Sequence, residues 1–246
     1  MWPWFVAAGV VVGLLVAAWF VAEAVAKDLV TKAVTQQVRS QFDIPAAQAV
    51  DVEIDGPLLL QLLIGDFGKV HISAQDVTIR GLTGDVDVTL QDVDIRNGFM
   101  MSGGDATVAL DQDQLRQLLR TVNGFPADSL GLAAPDVTMT FPVSLFGTQL
   151  PVGVALTPGA DSGNLVLTPA SLQIGGTQLS VDDLRSRFGS VANGAVRDWT
   201  VCIKNDLPAG IQLQDAQVDG DRLVATFSIS GDIAANPAMQ QPGTCP

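Results

Sequence analysis

Two stretches of this chain, VHISAQDVTIRG at residues 70–81 and VDVTLQDVDIRNG at residues 86–98, repeat nearly the same pattern sixteen residues apart. Each alternates apolar and polar residues, which predicts a β-strand with one apolar face. In each copy the alternation slips by one residue at a Gln-Asp pair, and these pairs end at Asp76 and Asp92. Because successive side chains of a strand point to opposite faces, the apolar residues stay on one side only if the backbone bulges at the slip. The repeat therefore predicts two neighbouring strands, bent at matching points, in a sheet that curls.

A weaker form of the same slip recurs at residues 168–170 and at residues 214–215. Bulges are ordinary features of antiparallel sheets, so a single slip would carry little meaning. Its recurrence in up to four strands favours a sheet that is strongly curved by repeated bulges.

The charge of the chain limits its partners. Of the 246 residues, 13 are Lys or Arg and 26 are Asp or Glu, which gives a net charge of -13. Nucleic acid is excluded as a partner because phosphate binding depends on clustered Lys and Arg. No Ser/Gly-rich or Pro-rich tract divides the chain after residue 45, so we predict one domain over residues 24–246.

Residues 4–22 contain no charged residue, and at about 1.5 Å per residue a helix of this length nearly matches a hydrocarbon core of about 30 Å. Tryptophans at both ends are typical of a membrane-spanning helix. Small residues at positions 22, 24 and 26 are typical instead of a cleaved signal peptide. We therefore predict a membrane segment over residues 1–23, which either stays as a transmembrane anchor or is removed after export.

The two cysteines, Cys202 and Cys245, favour export, because an even pair in a chain with an export-type segment predicts a disulfide. Two unpaired buried thiols are the alternative. Lys27, Lys32 and Arg39 follow the segment, and by the positive-inside rule they favour the opposite topology. Long domains cross membranes largely regardless of charge, and we expect this domain in the cell envelope, on the extracytoplasmic side of the plasma membrane.

After the segment, the sequence pattern predicts one long amphipathic helix followed mainly by strands. Apolar residues recur at helical spacing through residues 25–42, and short helices are predicted over residues 112–122 and 182–191. Turns are predicted at Pro158-Gly159 and around Gly220. This order indicates an α+β fold with an antiparallel sheet. Besides the repeat, strands are predicted over residues 50–54, 106–110, 137–146, 148–156, 165–174, 211–218 and 223–229.

The most apolar short segment of the domain is LLLQLLI at residues 58–64. Pro57 before it and Gly65 after it are typical of the two ends of a short helix, with Asp55 as a candidate cap. A helix that is apolar nearly all round is buried on more than one side or contacts lipid. The segment is therefore either a plug that closes one end of the sheet or part of a ligand-binding surface.

Residue types that carry catalysis are sparse in this chain. His71, the single histidine, is expected on the polar face of its strand, and no GxSxG motif supplies a nucleophile. The DxD pairs at 85/87, 92/94, 111/113 and 219/221 fit strand surfaces, a bend, a helix cap and a turn better than a metal site. We predict no enzyme activity, no metal and no cofactor.

The segment VEIDGPLLLQLLIGDFGKV at residues 52–70, which runs into the strand repeat, resembles the actinobacterial LmeA family of phospholipid-binding envelope proteins. The stretch around Cys202, LPAG at residues 207–210 and GTC at residues 243–245 are also similar to actinobacterial members. The resemblance covers most of residues 20–246, and its motif-like part is GPLLLQLLIG at residues 56–65. One departure is a leucine pair at 58 and 59, where the family often has an aromatic residue such as Phe.

The resemblance implies a tubular lipid-binding fold, in which a strongly bent antiparallel sheet wraps around the long N-terminal helix. It implies phospholipid and membrane as partners, a role in lipid transport for mannolipid synthesis or envelope lipid homeostasis, and an envelope glycosyltransferase as a candidate partner enzyme. Moving an acyl chain of about fifteen methylenes into water costs on the order of 12 kcal/mol, so a carrier needs a continuous apolar cavity. The residues expected to line it are Leu58, Leu59, Leu62, Leu63, Val70, Ile72, Val77, Ile79, Val86, Val88, Leu90, Val93 and Ile95.

A second interpretation places the protein in a different class. The curled sheet packs its own core with side chains, binds no lipid, and presents its outer face to an envelope enzyme as an exported adaptor. Co-purified lipid distinguishes the two interpretations, because only the carrier retains one.

Overall fold

The computed structural model describes residues 18–19, 21–32, 35–36, 50–79, 82–96, 100–120, 125–145, 148–174, 177–181, 183, 186 and 198–245. Residues 21–32 are helical, which agrees with the start of the helix predicted over residues 25–42. Most of the predicted membrane segment lies outside the described residues. Within the described part of the chain, no helix is both long and apolar enough to span a bilayer.

Strands dominate the described structure, and the strands predicted from alternation are confirmed with small changes at their ends. Three of the helices predicted from the sequence lie partly outside the described residues, at 33–34 and 37–42, at 121–122, and over most of 182–191. The strands are β1 (Val50–Ile54), β2 (Asp66–Ile79), β3 (Leu82–Asp94), β4 (Gly103–Leu110), β5 (Gly131–Ala133), β6 (Asp136–Leu145), β7 (Thr148–Asp161), β8 (Asn164–Ile174), β9 (Thr177–Ser180), β10 (Trp199–Val201), β11 (Ile211–Asp219) and β12 (Arg222–Ser230).

These strands form two antiparallel sheets. The first sheet has the order β1-β2-β3-β4-β12-β11. The second has the order β10-β8-β7-β6-β5, with β9 paired to β8 as well. The predicted α+β class with antiparallel pairing is confirmed, but the strands divide between two sheets. Strands β5–β9 follow one another through short connections, and with β10 they bury an apolar face of their own. The predicted wrapping of a sheet around the N-terminal helix stays a prediction.

Two short α-helices lie between the described strands, α1 (Leu58–Ile64) and α2 (Gln112–Leu119), and a third, α3 (Pro237–Gln240), follows the last strand. The predicted cap of α2 is confirmed, because the Asp111 carboxylate accepts hydrogen bonds from backbone N–H groups of the first turn. Gly65 ends α1 with a φ of 79°, also as predicted. The proposed Asp55 cap is wrong: the carboxylate of Glu23, from the N-terminal helix, accepts hydrogen bonds from the first backbone N–H groups of α1.

The main hydrophobic core lies between the second sheet and the β4-β12-β11 part of the first sheet. Helix α2 contributes Leu115 and Leu119 to this core, both fully buried. From the two sheets, fully buried side chains include Val137, Leu156, Leu167 and Leu223. The other half of the first sheet, β1-β2-β3, therefore lies beside the main core and not within it.

The bulge predicted at Asp76 is confirmed. Ala74 pairs with Val86 and Val77 pairs with Gly84, so two residues of β2 oppose the single residue Asp85 of β3. Asp76 has a φ of 52°, in the left-handed region. The two weaker slips are confirmed as register shifts in β8 and β11, at residues 170 and 214.

At the second Gln-Asp pair the backbone also departs from the extended conformation, because Asp92 has a φ of 49° in the left-handed region. Here the register between β2 and β3 is unchanged, since Phe67 pairs with Val93 and Lys69 with Gln91 on either side of the break. The prediction that the two strands bend at matching points is wrong. The two copies of the repeat are antiparallel neighbours, so equivalent positions in the repeat lie at opposite ends of the hairpin.

The turn predicted at Pro158-Gly159 is also wrong. Strand β7 continues to Asp161, and the chain turns at Ser162 and Gly163, with φ angles of 51° and 77°. A two-residue hairpin loop with positive φ at both positions matches the twist of the strands, and this preference overrides the Pro-Gly signal. The turn predicted around Gly220 is confirmed, with a φ of 60°.

Candidate lipid-binding face

One face of the first sheet is apolar across all six strands. Residues that pair directly across antiparallel strands share a face, so each line of partners forms a row of side chains. The central row consists of Val52, Ile72, Val88, Ala106, Phe227 and Leu213. One neighbouring row consists of Ile54, Val70, Leu90, Gly104, Ile229 and Ile211, and the other of Val50, Ala74, Val86, Val108, Ala225 and Ala216.

The cover over this face is uneven. At the β12-β11 end, side chains such as Phe227, Leu213 and Ala216 belong to the main core under the second sheet. At the β1-β2 end, Ala74 and Val77 form a small separate cluster with half-buried neighbours. Among the described residues, the half-buried side chains in the middle of the face on β2 and β3 belong to neither cluster; they are Val70, Ile72, Val88 and Leu90.

Twelve of the thirteen residues predicted to bind lipid have described side chains, and these occupy three different environments. Those that are half-buried are Leu59, Val70, Ile72, Val86, Val88, Leu90 and Val93. Those that are buried are Leu58 and Val77. Those that are exposed, at the end of the sheet near α1, are Leu62, Leu63 and Ile95. The side chain of Ile79 lies outside the described residues. The structure thus brings Val70, Ile72, Val86, Val88 and Leu90 together on one face, with Val77 in the small cluster beside Ala74. It separates Leu62, Leu63 and Ile95 from them, and Val93 pairs with Phe67 outside these rows.

The prediction from sequence omitted residues of the same face on the flanking strands. These are Val52 and Ile54 on β1, and Ala106 and Val108 on β4, which continue the rows of Ile72, Val88 and their neighbours. Alternation in residues 50–54 and 106–110 predicted that each of these strands has one apolar side. It did not predict which strands they pair with, and that pairing decides which apolar residues share a face.

The helix α1 is held at the edge of this face by contacts at both of its ends. Glu23 Oε2 accepts a 3.0 Å hydrogen bond from Leu59 N, and the other carboxylate oxygen accepts from Leu58 N. At the far end, the Arg96 guanidinium donates to the Leu63 carbonyl oxygen. Leu58 is buried, while most of the other apolar side chains of α1 face solvent.

The opposite face of the same strands is polar. A groove of about 400 Å³ lies there, and its lining includes Asp51, Ser73, Asp85 and Asp87 together with the apolar residues Ala74, Val86 and Ala109. The backbone N–H of Asp76 donates a 2.9 Å hydrogen bond to Asp85, and Arg222 pairs with the same carboxylate. These two donors hold the pKa of Asp85 below its ordinary value.

His71 lies on this polar face, as predicted, where its ring pairs with carboxylate and hydroxyl oxygens. Its Nε2 is 3.1 Å from an Asp87 carboxylate oxygen, and its Nδ1 is 3.1 Å from the Thr89 hydroxyl. In the part of the chain that the structure describes, no group of three His, Cys, Asp or Glu side chains is placed to bind a metal ion.

The predicted disulfide is confirmed. Cys202 and Cys245 are bonded, with Cα atoms 6.1 Å apart. The tail is also held by backbone hydrogen bonds, from Gly210 N to Met239 O at 2.9 Å and from Gly243 N to Leu207 O at 3.0 Å. The C-terminal segment is thereby fixed against residues 207–210.

Comparison with known proteins gives one family match. No curated protein and no solved structure matches the chain. The LmeA-like phospholipid-binding family matches residues 17–228, a span that contains α1, the repeat and all twelve strands described above except the last two residues of β12. The chain therefore belongs to the LmeA-like phospholipid-binding family.

Proposed function

We propose that the half-covered part of the first sheet holds the acyl chains of a phospholipid. The observation that carries this proposal is the central set Val70, Ile72, Val88 and Leu90, which are apolar, lie on one face, and belong to neither core cluster. The family supports phospholipid as the ligand. We place the entry to the face at the α1 end, because α2 and the second sheet cover the β4-β12-β11 side.

The energetics of acyl-chain burial favour this face over the groove on the polar side. Each methylene moved from water to an apolar surface contributes about 0.8 kcal/mol, so a binding surface must be apolar over the length of the chain. The rows cross six strands at about 4.8 Å per strand, and the part on β1, β2 and β3 lies outside the main core. The groove on the other face is bordered by Asp51, Asp85 and Asp87, which would repel a lipid phosphate.

The role that fits this face is binding and transfer, without catalysis. The side chains in the rows are hydrocarbon and offer neither nucleophile nor general base. We place the protein in the cell envelope on the extracytoplasmic side, anchored or secreted, where it supplies or removes phospholipid during mannolipid synthesis or lipid homeostasis. An envelope glycosyltransferase is the proposed partner enzyme.

Native mass spectrometry of the purified protein tests lipid binding. We expect phospholipid to co-purify with the wild type and to be lost from Val88→Asp, because a carboxylate in the central row penalises an acyl chain beside it. A matched charge on the polar face of the same strand, Thr89→Asp, should leave the lipid bound. A Val88→Phe variant fills the face without adding charge; it should fold and lose lipid. Absence of lipid from the folded wild type would favour the adaptor with a self-filled core.

The proposed location is tested by alkaline phosphatase fused after residue 45 in a bacterial host. We expect an active reporter, because this phosphatase needs an oxidising compartment to form its own disulfides. An inactive phosphatase together with an active cytoplasmic reporter at the same position would overturn the location. The lipid-binding proposal would be unaffected by that result.

A further inference from the structure

The α1 end of the first sheet carries a concentration of exposed apolar side chains. Leu63 is 69% exposed and Ile64 is 53% exposed. Large aliphatic side chains are seldom exposed to this extent next to one another on a surface that faces water. We call this set the α1 patch, and it consists of Leu60, Leu62, Leu63, Ile64, Ile95 and Met100.

Backbone contacts join the residues of the α1 patch into one surface. Ile95 N donates a 3.0 Å hydrogen bond to Gly65 O, which places Ile95 beside the end of α1. Asp94 forms an isolated bridge with Met100, so Met100 lies on the other side of the same strand end. Arg96, bound to the Leu63 carbonyl, fixes the loop after β3 to the helix.

The N-terminal segment of the chain leads to the same end of the molecule. The uncharged run of residues 4–22 ends one residue before Glu23. Glu23 accepts hydrogen bonds from the first backbone N–H groups of α1, so the end of that run is attached to the helix that carries the patch. A bilayer that contained residues 4–22 would lie next to the α1 patch.

We propose that the α1 patch docks into the outer surface of a lipid bilayer. This inference builds on the proposed function, since it supplies the route by which a phospholipid moves between the membrane and the apolar face of β2 and β3. Helix α1 lies at the edge of that face and carries most of the patch, since its first residue is buried and most of its later residues are exposed. A docked patch would let an acyl chain leave the bilayer without crossing water.

Docking at this site rests on apolar contact and not on charge. Lys69 and Arg96 are exposed near the patch, but Asp55, Asp66 and Asp94 stand on the neighbouring strand ends. Together these charges do not attract an anionic surface, and the chain as a whole carries a net charge of -13. We therefore expect docking to change little between low and high salt, unlike binding through a basic patch.

The test uses the full chain reconstituted in phosphatidylcholine vesicles that contain lipids with brominated acyl chains. A fluorescent amino acid replaces Leu63 in one variant and Asp219 in the other, because Asp219 is exposed in the β11–β12 turn at the opposite end of the strands. Both variants share the same N-terminal segment, so membrane attachment is constant. We expect the bromolipid to quench the probe at 63 strongly and the probe at 219 hardly at all, with aqueous iodide giving the reverse order.

A second variant, Leu63→Asp with Ile64→Asp, tests the consequence for lipid exchange. Loss of two exposed aliphatic contacts should slow transfer of a fluorescent phospholipid to acceptor vesicles by about tenfold or more, because about 1.4 kcal/mol corresponds to a factor of ten. Lipid already bound should still be detected by native mass spectrometry.

The outcomes separate this inference from the proposed function. A probe at 63 that iodide quenches and bromolipid does not would overturn docking even if lipid co-purifies with the protein. Unchanged transfer in the double Asp variant would overturn it as well. Quenching of the probe at 63 by bromolipid, in a wild type that carries no phospholipid, would support docking while lipid binding by the sheet fails.

Discussion

Asp85 links three parts of the first sheet through one carboxylate. It lies opposite the bulge of β2, accepts a hydrogen bond from Asp76 N, and pairs with Arg222 at the start of β12. The donors lower the pKa of Asp85 relative to the unfolded chain. A carboxylate with a depressed folded-state pKa stabilises the fold above its unfolded pKa, and this contribution disappears as the pH falls through the folded-state pKa.

We predict that Asp85→Ala lowers the free energy of unfolding by roughly 1.5–3 kcal/mol at neutral pH, the range for a hydrogen bond to a charged group. The difference from wild type should shrink as the pH falls below about 4. Urea unfolding at several pH values measures both effects. Asp87→Ala on the same strand removes a more exposed pair, between Asp87 and His71, and should cost less than 1 kcal/mol. Equal losses at acid and neutral pH would contradict the role of the Asp85 charge.

Gly65 shows how one residue positions the exposed end of α1. Its φ is 79°, and an added Cβ would lie 2.5 Å from Cγ of Arg96. We predict that Gly65→Ala destabilises the protein by roughly 1 kcal/mol, because a side chain at positive φ is strained and displaces Arg96 from the Leu63 carbonyl. Thermal unfolding measures the change. Gly68→Ala is the control, since no atom lies within 4 Å of its Cβ position, and a comparable loss there would argue against the conformational explanation.

At the scale of the elements, the β2–β3 hairpin and the C-terminal tail are fixed in different ways. The hairpin is held by pairing along nearly its whole length, with the bulge at Asp76 near one end and the break at Asp92 near the other. The tail has one short helix and a few backbone hydrogen bonds, so its covalent link to Cys202 has more to contribute.

We predict that removing this disulfide lowers the free energy of unfolding by about 4 kcal/mol, the chain-entropy estimate for a loop closed over 43 residues. Urea unfolding with and without reductant measures the loss. The double variant Cys202→Ser with Cys245→Ser should match the reduced wild type and should not respond to reductant. Equal stability of the oxidised and reduced protein would show that the tail's backbone bonds suffice.

At the scale of the whole molecule, one apolar face serves two purposes. Its β12-β11 end is part of a core shared with the second sheet, and its β2-β3 part is the proposed lipid site. The two parts can therefore be altered separately.

We predict that Leu167→Ala, at a fully buried position of β8, costs roughly 2–5 kcal/mol of stability through the cavity that it creates. The amount of phospholipid per folded molecule should stay unchanged, because Leu167 belongs to the main core and not to the open part of the face. Denaturant unfolding and native mass spectrometry on the same sample measure the two quantities. A parallel loss of lipid and stability would mean that the core and the site are one unit.

The sequence alone determined the local features of this protein. Alternation predicted β1 and most later strands. The Gln-Asp slips predicted the irregular backbone at Asp76 and Asp92, where φ is positive. Asp111 and Gly65 predicted helix ends that the structure confirms. Strands, bulges and helix ends depend on residues that are close together in the sequence, so the sequence pattern is enough to predict them. The resemblance at residues 56–65 led to the same family that matches residues 17–228.

Only the tertiary structure decided which strands share a sheet and which side chains share a face. Antiparallel pairing places Asp76 and Asp92 at opposite ends of the hairpin and adds Val52 and Ala106 to the central row. The packing of α1 against the sheet buries Leu58 and leaves Leu63 exposed. Periodicity specifies that a strand has an apolar side, but the partner that covers that side comes from residues far away in sequence. The open part of the apolar face, on which the proposed function depends, exists because the second sheet covers one half of the first sheet and not the other.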